Sequence, residues 1–151
     1  MSAPGVITQE MRDRIGTESE PYTFEVEKGD VVRYAKAIGE GDPRFTDEAA
    51  ARLMRYGGIV APPTYLIVMR ILEPHDVKLR GPYARSVDGG SHWRYFEPIR
   101  PGDRLTARVK LVDLYEREGS LGPMLFVITE ITYRNQFGRV VATQRDTAIR
   151  Y

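Results

Sequence analysis

The sequence predicts an α+β fold in which an antiparallel sheet of about five strands wraps around one buried central helix. Residues Pro63–Leu72 are apolar on nearly every side over about three helical turns. This segment is too short to cross a bilayer, so we expect it to be buried within the protein. The C-terminal third alternates apolar and polar residues with the period of two that is typical of half-buried strands. A curled antiparallel sheet can cover a single apolar helix, and these two features therefore predict that arrangement.

Length and composition exclude several classes of protein. The 151 residues, 42% of them hydrophobic, are sufficient for one domain spanning residues 1–151. Basic and acidic side chains nearly balance, at 22 and 21, and no Lys/Arg cluster interleaved with aromatics predicts a nucleic-acid surface. The chain has no cysteine, which excludes disulfides and thiolate metal sites, and we expect no metal. The N-terminus lacks the apolar core of a signal peptide, so we expect a cytoplasmic protein without a membrane segment.

The N-terminal part predicts short elements. Residues 1–20 mix charge, glycine and proline and are expected to be irregular, apart from a short helix within 7–15. The alternation from Tyr22 to Glu27 predicts a strand. Asp30 is the expected N-cap of a first helix of roughly two turns that ends at Gly39.

A loop and a second helix follow. Two glycines and one proline between residues 39 and 45 exclude regular structure there. Thr46 or Asp47 is the expected N-cap of the next helix. The apolar side of that helix is predicted to consist of Ala49, Ala50, Leu53 and Met54.

Proline sets both limits of the central helix, which we place at about residues 63–73. Pro63 suits the first turn, because its missing N–H would be unpaired there, and Pro74 prevents continuation after Glu73. The glycines and prolines between residues 74 and 90 predict a long irregular excursion at the surface. His75 lies in this excursion and is expected to be a surface residue.

Four strands are predicted after the excursion. The aromatic strand 91–96 leads through a turn at 98–103 into a long strand at 105–115. Two further strands at 125–133 and 140–149 are joined to their predecessors by hairpin-length links, 116–123 and 135–139.

Three segments carry a resemblance to a known family. They are YAKAIGEGDPRFTD at 34–47, GIVAPPT at 58–64 and WRYFEPIRPGD at 93–103. On these motifs the chain resembles the MaoC-like hydratases and dehydratases, and within them the fatty-synthase-like dehydratase N-terminal-domain subgroup. The YFxPxRPGD string is the most specific of the three. The resemblance implies a single hot-dog domain, which is the architecture that the element order predicts.

The resemblance also implies a reaction, the reversible addition of water to a trans-2-enoyl thioester. This chemistry needs a carboxylate and an imidazole sharing one water, with N–H donors on the thioester oxygen. Active members resemble S-G-D-x-N-P-L-H-x-D, in which the first Asp and the His are catalytic. That motif falls on residues 38–47, where Glu40 occupies the Asp position and Phe45 the His position. Active members also place a glycine near the start of the central helix, where this chain has Pro62 and Pro63, which leaves Thr64 N–H as a donor.

The candidate site residues follow from this placement. Glu40 and His92 are the candidate acid–base pair, because the chain has only two histidines. Asp42 has a competing structural role, since an Asp in a Gly-Asp-Pro turn commonly fixes the turn. Arg94 and Arg100 are candidates to meet coenzyme A phosphates through charge-assisted bonds, and the alternative is that they are simply exposed arginines beside a turn. The candidate substrate-binding residues are Asp42, Phe45, Ala61, Pro62, Thr64, Trp93 and Arg94.

Four functions remain open from the sequence. The first is a substrate-binding subunit that lacks the usual Asp/His dyad and works with a catalytic partner. The second is a self-sufficient enoyl-CoA hydratase that uses Glu40 and His92. A thioesterase and a non-catalytic acyl-CoA-binding protein are the other two. All four imply a coenzyme A or acyl carrier protein thioester as ligand, no separate cofactor, and a homodimer or a heterodimer with a catalytic hot-dog subunit.

Overall fold

The computed structural model describes residues 5–72, 79 and 82–151. Its strands form one five-stranded antiparallel sheet in the order β1-β3-β4-β5-β2. The strands are β1 (Tyr22–Glu25), β2 (Ser86–Tyr95), β3 (Arg104–Gly119), β4 (Gly122–Arg134) and β5 (Val140–Arg150). The predicted α+β fold, a sheet curved around a central helix, is confirmed.

The helices lie on one side of this sheet. They are α1 (Gln9–Asp13), α2 (Lys28–Ala37), a short 3₁₀ turn (Pro43–Phe45), α3 (Glu48–Arg52) and the central helix (Pro63–Leu72). Tyr65, Leu66 and Met69 of the central helix are almost inaccessible to solvent. They pack in one cluster with inward-facing residues of β3, β4 and β5, such as Leu111, Ile131 and Ala142. This cluster is the core of the domain.

The central helix differs from its prediction in two respects. It has 3₁₀ geometry, which rises about 2.0 Å per residue rather than 1.5 Å and so makes it longer and slimmer than an α-helix. It is also buried on one face rather than all round, since Ile67 and Leu72 are 43% and 45% exposed. The predicted stop at Glu73-Pro74 and the surface position of His75 fall outside the described residues.

Three predictions about the other helices are wrong. Glu27 occupies the N-cap position of α2, and Asp30 lies inside its first turn, where a carboxylate still favours the helix dipole. With ten residues, α2 is also longer than two turns. In α3 the cap is correct, because the Asp47 side chain accepts a hydrogen bond from Ala50 N–H. Its expected apolar side is exposed at Ala49, Leu53 and Met54, and Ala51 is the buried residue.

Strand β2 begins earlier than predicted. Residues 86–90 were expected to be irregular, but residues 86–88 pair with β5, and the register shifts by one residue between Asp88 and Ser91. Gly89 and Gly90 form this bulge, and Gly90 has a φ of 110°, which a residue with a side chain rarely adopts. The glycines that suggested an irregular excursion therefore form a bulge within a continuous strand. The bulge also places Asp88 and Ser91 on the same inward face of the sheet.

Candidate functional site

The loop between α2 and α3 is fixed by its own carboxylates. Glu40 Oε1 accepts a hydrogen bond from Asp42 N–H at 3.0 Å. Asp42 accepts from Arg44 twice, from the backbone N–H at 2.9 Å and from Nε at 2.8 Å. These bonds from Arg44 lower the pKa of the Asp42 carboxyl. Asp42 is thus the cap of the 3₁₀ turn, the structural role that its Gly-Asp-Pro context predicts.

Phe45 is an apolar filler beneath this loop. Only 8% of it is exposed, and it packs with Ala35 and Val60 in a small cluster that Tyr56 borders. The Arg44 guanidinium lies 5.4 Å from the centre of its ring. The position therefore contributes shape and hydrophobicity, and it has no group that transfers a proton.

Most backbone donors near the start of the central helix are already used. Val60 N–H donates to Arg44 O at 3.2 Å, and Ala61 N–H donates to Ile99 O at 2.8 Å. Pro62 and Pro63 have no N–H. Thr64 follows, and its hydroxyl and carbonyl oxygens lie 2.8 and 3.0 Å from the Tyr34 hydroxyl. Tyr34 thereby ties α2 to the first turn of the central helix.

A cavity of about 280 Å³ opens beside this point. Its wall is formed by residues 44–45, 56, 60–63 and 95–99. Phe45, Ala61 and Pro62, three of the predicted substrate-binding residues, contribute to it. Arg100 stands next to this wall, where Nη1 donates to the Tyr56 carbonyl oxygen at 2.5 Å. The cavity is thus mainly apolar, with cationic side chains of Arg44 and Arg100 at its edge.

Strand β2 divides the remaining candidates between two faces of the sheet. Trp93 faces inward and stacks on Tyr95 and Tyr133, with ring centres 6.0 and 5.8 Å apart. Because side chains alternate along a strand, His92 and Arg94 point to the outer face, where both are exposed. Glu40 follows α2 on the inner side. His92 therefore points away from the face that carries the helices, and no hydrogen bond or ion pair among the described residues joins it to Glu40.

A group of polar residues on the inner face of the sheet was not predicted from the sequence. Gln144 and Asp146 are 0% and 5% exposed, and Ser91 and Arg70 contact Asp146. The signal was present in the alternation of β5, because Gln144 and Asp146 share a face with the buried Ala142. They lie near a second cavity of about 280 Å³ at the other end of the central helix.

The described residues contain no group of three or more His, Cys, Asp or Glu side chains that could hold a metal ion. Within the same part of the chain, no helix is both long and apolar enough to span a membrane.

The family described as FAS1-like, dehydratase domain region, matches residues 13–144. A UPF0336 protein of Saccharopolyspora erythraea is 31% identical over 141 residues, which cover 89% of this chain and 87% of that protein. A UPF0336 protein of Streptomyces avermitilis is 34% identical, but that match covers only 55% of this chain and 58% of the relative. A probable enoyl-CoA hydratase alpha subunit of Thermomonospora curvata is 27% identical over 80% of this chain and 43% of its own length.

Solved structures share the fold. A MaoC-like dehydratase from Rhodospirillum rubrum superimposes with a TM-score of 0.72 at 23% identity, covering 91% of this chain and 92% of its own. A chain of the HadBC (3R-hydroxyacyl-ACP dehydratase) complex from Mycobacterium tuberculosis reaches 0.77 at 24% identity, covering 91% and 97%. The hot-dog fold that the resemblance implied is therefore confirmed.

Proposed function

The chain belongs to the FAS1-like dehydratase family, and from that premise we propose that it is the acyl-thioester-binding subunit of a hydratase or dehydratase. In this role it holds a trans-2-enoyl or 3-hydroxyacyl thioester in the cytoplasm while a partner chain supplies the carboxylate and imidazole. The reaction would be the reversible addition of water to the enoyl double bond. No cofactor is required beyond the coenzyme A or acyl carrier protein that carries the acyl group.

The observation that carries this proposal is the environment of Phe45. The motif resemblance places the catalytic His of active family members at this position, whereas here a buried phenyl ring packs with Ala35 and Val60. The carboxylate at the catalytic Asp position, Glu40, is bonded to the backbone N–H of Asp42 within its own loop. In this loop the two positions of the acid–base pair are occupied by residues that stabilise the loop itself.

The donors near the start of the central helix support the same conclusion. Stabilising charge on a thioester oxygen requires preorganised N–H groups aimed at it. Val60 and Ala61 donate elsewhere within the protein, and the two following prolines have no donor. This leaves Thr64 as the nearest residue with an N–H to offer. The site is therefore better suited to holding the acyl part of the substrate than to polarising its carbonyl.

The cavity between Pro62 and Phe96 fits the acyl part. It is lined mainly by aromatic, proline and aliphatic side chains, which favour a hydrocarbon over a polar ligand. Arg44 and Arg100 at its edge are the cations available to the phosphates of the carrier, whereas the predicted Arg94 points to the outer face of the sheet, away from this cavity. The thioester would thus enter beside Arg44.

Relatives support a heteromeric assembly. One is described as an alpha subunit of a probable enoyl-CoA hydratase, and one structural neighbour is a chain of a two-component complex. We propose pairing with a catalytic hot-dog subunit, and a homodimer is the state expected without one.

The self-sufficient alternative requires Glu40 and His92 to share one water. The orientation of His92 argues against this, since it occupies the outward register of β2 opposite Arg145. The thioesterase alternative lacks a carboxylate or serine along the described part of the central helix. A plain acyl-CoA-binding protein would differ from our proposal only in lacking a catalytic partner.

The test uses the purified protein with crotonyl-CoA and trans-2-octenoyl-CoA, monitored by loss of the enoyl-thioester absorbance. We expect no turnover by the protein alone, together with binding of octanoyl-CoA in calorimetry. Addition of a catalytic hot-dog subunit that carries the D-x-N-P-x-H motif should produce turnover. Glu40→Gln and His92→Ala should leave that combined activity within about twofold of the wild type, because neither side chain handles the proton.

Turnover by the protein alone that either substitution abolishes would overturn the proposal and establish a rearranged acid–base pair. Hydrolysis of octanoyl-CoA to free coenzyme A would favour the thioesterase. Absence of acyl-CoA binding would exclude the substrate-binding role altogether.

A further inference from the structure

The second cavity lies against a directed chain of hydrogen bonds on the inner face of the sheet. The Tyr133 hydroxyl is 3.1 Å from Gln144 Oε1, and Gln144 Nε2 donates to Ser91 Oγ at 3.0 Å. Ser91 Oγ donates in turn to Asp146 Oδ1 at 2.6 Å. Since Ser91 has a single hydroxyl hydrogen, its donation to Asp146 leaves its oxygen free to accept from Gln144. The chain ends at a carboxylate that is 5% exposed.

The Arg70 guanidinium, on the central helix, points toward this carboxylate but lies farther from it than in a normal ion pair. Its Nη2 lies 3.5 Å from Asp146 Oδ2, and its Nη1 lies 3.8 Å from Asp88 Oδ2. Charge-assisted pairs normally close to about 2.7–2.9 Å. The guanidinium therefore stands between two carboxylates at distances that leave it able to donate to a further oxygen atom.

The cavity at this point has polar and apolar walls. Arg70, Asp88, Asp146 and Arg150 line it, and Val127 and Ala148 supply apolar surface. Its lining carries two positive and two negative side chains, which balance. A hydrocarbon end would desolvate these groups without replacing their hydrogen bonds, and a carboxylate would face Asp88 and Asp146. A neutral hydroxyl matches both kinds of group, because it can accept from Arg70 and donate to Asp146.

The second cavity lies along the central helix from the proposed thioester site. Arg70 lies seven residues after Pro63 on a 3₁₀ helix, which corresponds to roughly 14 Å at the rise of such a helix. Both cavities adjoin the inner face of the sheet, and inward-facing Trp93 lies on β2 between Tyr95, at the first cavity, and Asp88, at the second. An acyl chain that starts near Pro63 has to span about this distance to reach Arg70.

We infer that the cavity at Arg70 and Asp146 is a second substrate subsite, which receives a hydroxyl group carried on the distal part of the acyl chain. This inference rests on the proposed function and specifies its substrate class as hydroxylated acyl thioesters. Arg70 and Asp146 act as specificity residues and take no part in the chemistry at the thioester.

The experiment is calorimetry of the full chain with matched pairs of saturated acyl-CoAs. The series runs from hexanoyl-CoA to hexadecanoyl-CoA, each with and without a terminal hydroxyl. Beyond a threshold length we expect the hydroxylated member to bind about 10- to 100-fold more tightly, the range of hydrogen bonds to charged groups. Below that length the two members should bind equally, because the hydroxyl does not reach Arg70.

The variant Arg70→Met/Asp146→Asn removes both charges together, so that neither remains buried alone. It should bring the two affinities within about threefold at every length, with unsubstituted acyl-CoAs below the threshold length bound as in the wild type because they do not reach these residues. The matched control is Arg117→Met/Asp113→Asn on β3, outside both cavities, which should keep the full preference. Thermal unfolding shows whether each variant is folded. The wild-type series by itself already shows whether the terminal hydroxyl increases affinity beyond a threshold length.

Two results would overturn this inference and leave the proposed function intact. One is equal binding of both members at every length, with unsubstituted acyl-CoAs bound normally. The other is a preference for the hydroxyl that survives in a folded Arg70→Met/Asp146→Asn protein. If no acyl-CoA binds at all, the proposed function fails and this inference fails with it.

Discussion

At the scale of single residues, Tyr65 combines complete burial with an unpaired hydroxyl. Its ring packs edge-on against Tyr34 and Phe24, with ring centres 5.5 and 6.2 Å away. The side chain is 1% exposed, and its hydroxyl has no hydrogen-bond partner among the described residues. A buried polar group without a partner costs about 1–3 kcal/mol. Burial also raises the pKa of Tyr65 from 10.0 to about 12.

This pKa predicts a loss of stability at alkaline pH. From pH 10.0 to about 12 the unfolded state releases the Tyr65 proton while the folded state retains it. The folded state then binds more protons, so the free energy of unfolding decreases as the pH rises through this window. Tyr65→Phe should lessen that decrease and, at pH 8, leave stability unchanged or raise it by about 1 kcal/mol. Urea unfolding across this pH range measures both effects.

Tyr115→Phe, on the outer face of the sheet, is the control and should retain the wild-type alkaline decrease. An equal decrease in Tyr65→Phe and the wild type would show that Tyr65 does not titrate in this way.

Some residue roles could be predicted from the sequence, and others could not. The Gly-Asp-Pro context of Asp42 predicted a turn cap, because that role depends only on neighbouring residues. Gln144 and Asp146 are inward-facing polar residues in a strand otherwise recognised by its apolar alternation. Their importance depends on Ser91 and Arg70, which lie 53 and 76 positions away. Such pairings follow from the sheet register, which local patterns do not contain.

At the scale of elements, the central helix shows what an apolar run can and cannot predict. The run correctly located the helix against which the sheet packs. It could not indicate which side remains exposed, since Ile67 and Met69 are both hydrophobic. The same limit applies to α3, whose exposed Leu53 was expected to be buried.

The different exposures of side chains on the central helix predict that truncating them to alanine lowers the free energy of unfolding by different amounts. Met69 is 0% exposed, and Met69→Ala should reduce the free energy of unfolding by about 2–5 kcal/mol through a lost contact surface and a cavity. Ile67 is 43% exposed, and Ile67→Ala should cost less than about 1 kcal/mol in the isolated chain. Denaturant titration at low protein concentration provides the comparison. Similar costs for both substitutions would contradict burial on a single face.

Only the second half of strand β2 was predicted, because local composition does not show which segments find pairing partners. Gly89 and Gly90 have the composition of a loop, yet they form a bulge because β5 supplies pairing partners on both sides of them. Strands β3, β4 and β5 have longer runs of alternating residues, and local pattern was sufficient to locate them.

At the scale of the whole molecule, the two edges of the sheet differ. Along the β1 edge, β1 and the segment before it both border β3, since Gly16 N–H and Ser19 N–H donate to carbonyls of Leu111 and Val109. The β2 edge is ten residues long and has no described strand beside it. Its end also exposes Tyr95 and Phe96, at 45% and 58%. Long open edges with apolar side chains readily pair with another chain.

We predict that β2 is the strand through which a second copy or the catalytic subunit associates. When the chain is alone, the β2 amides that bond to β5 should exchange slowly with deuterium and the alternating, outward-pointing amides rapidly. On association, the outward set should become slow as well, because those amides gain carbonyl partners on the second chain. Hydrogen exchange by NMR, performed at protein concentrations where light scattering gives one-chain and two-chain masses, tests this directly. The amides of β4, which is paired on both sides, serve as the internal reference. A two-chain mass with the alternating β2 amides still rapid would place the interface on another surface, such as the exposed side of Ile67.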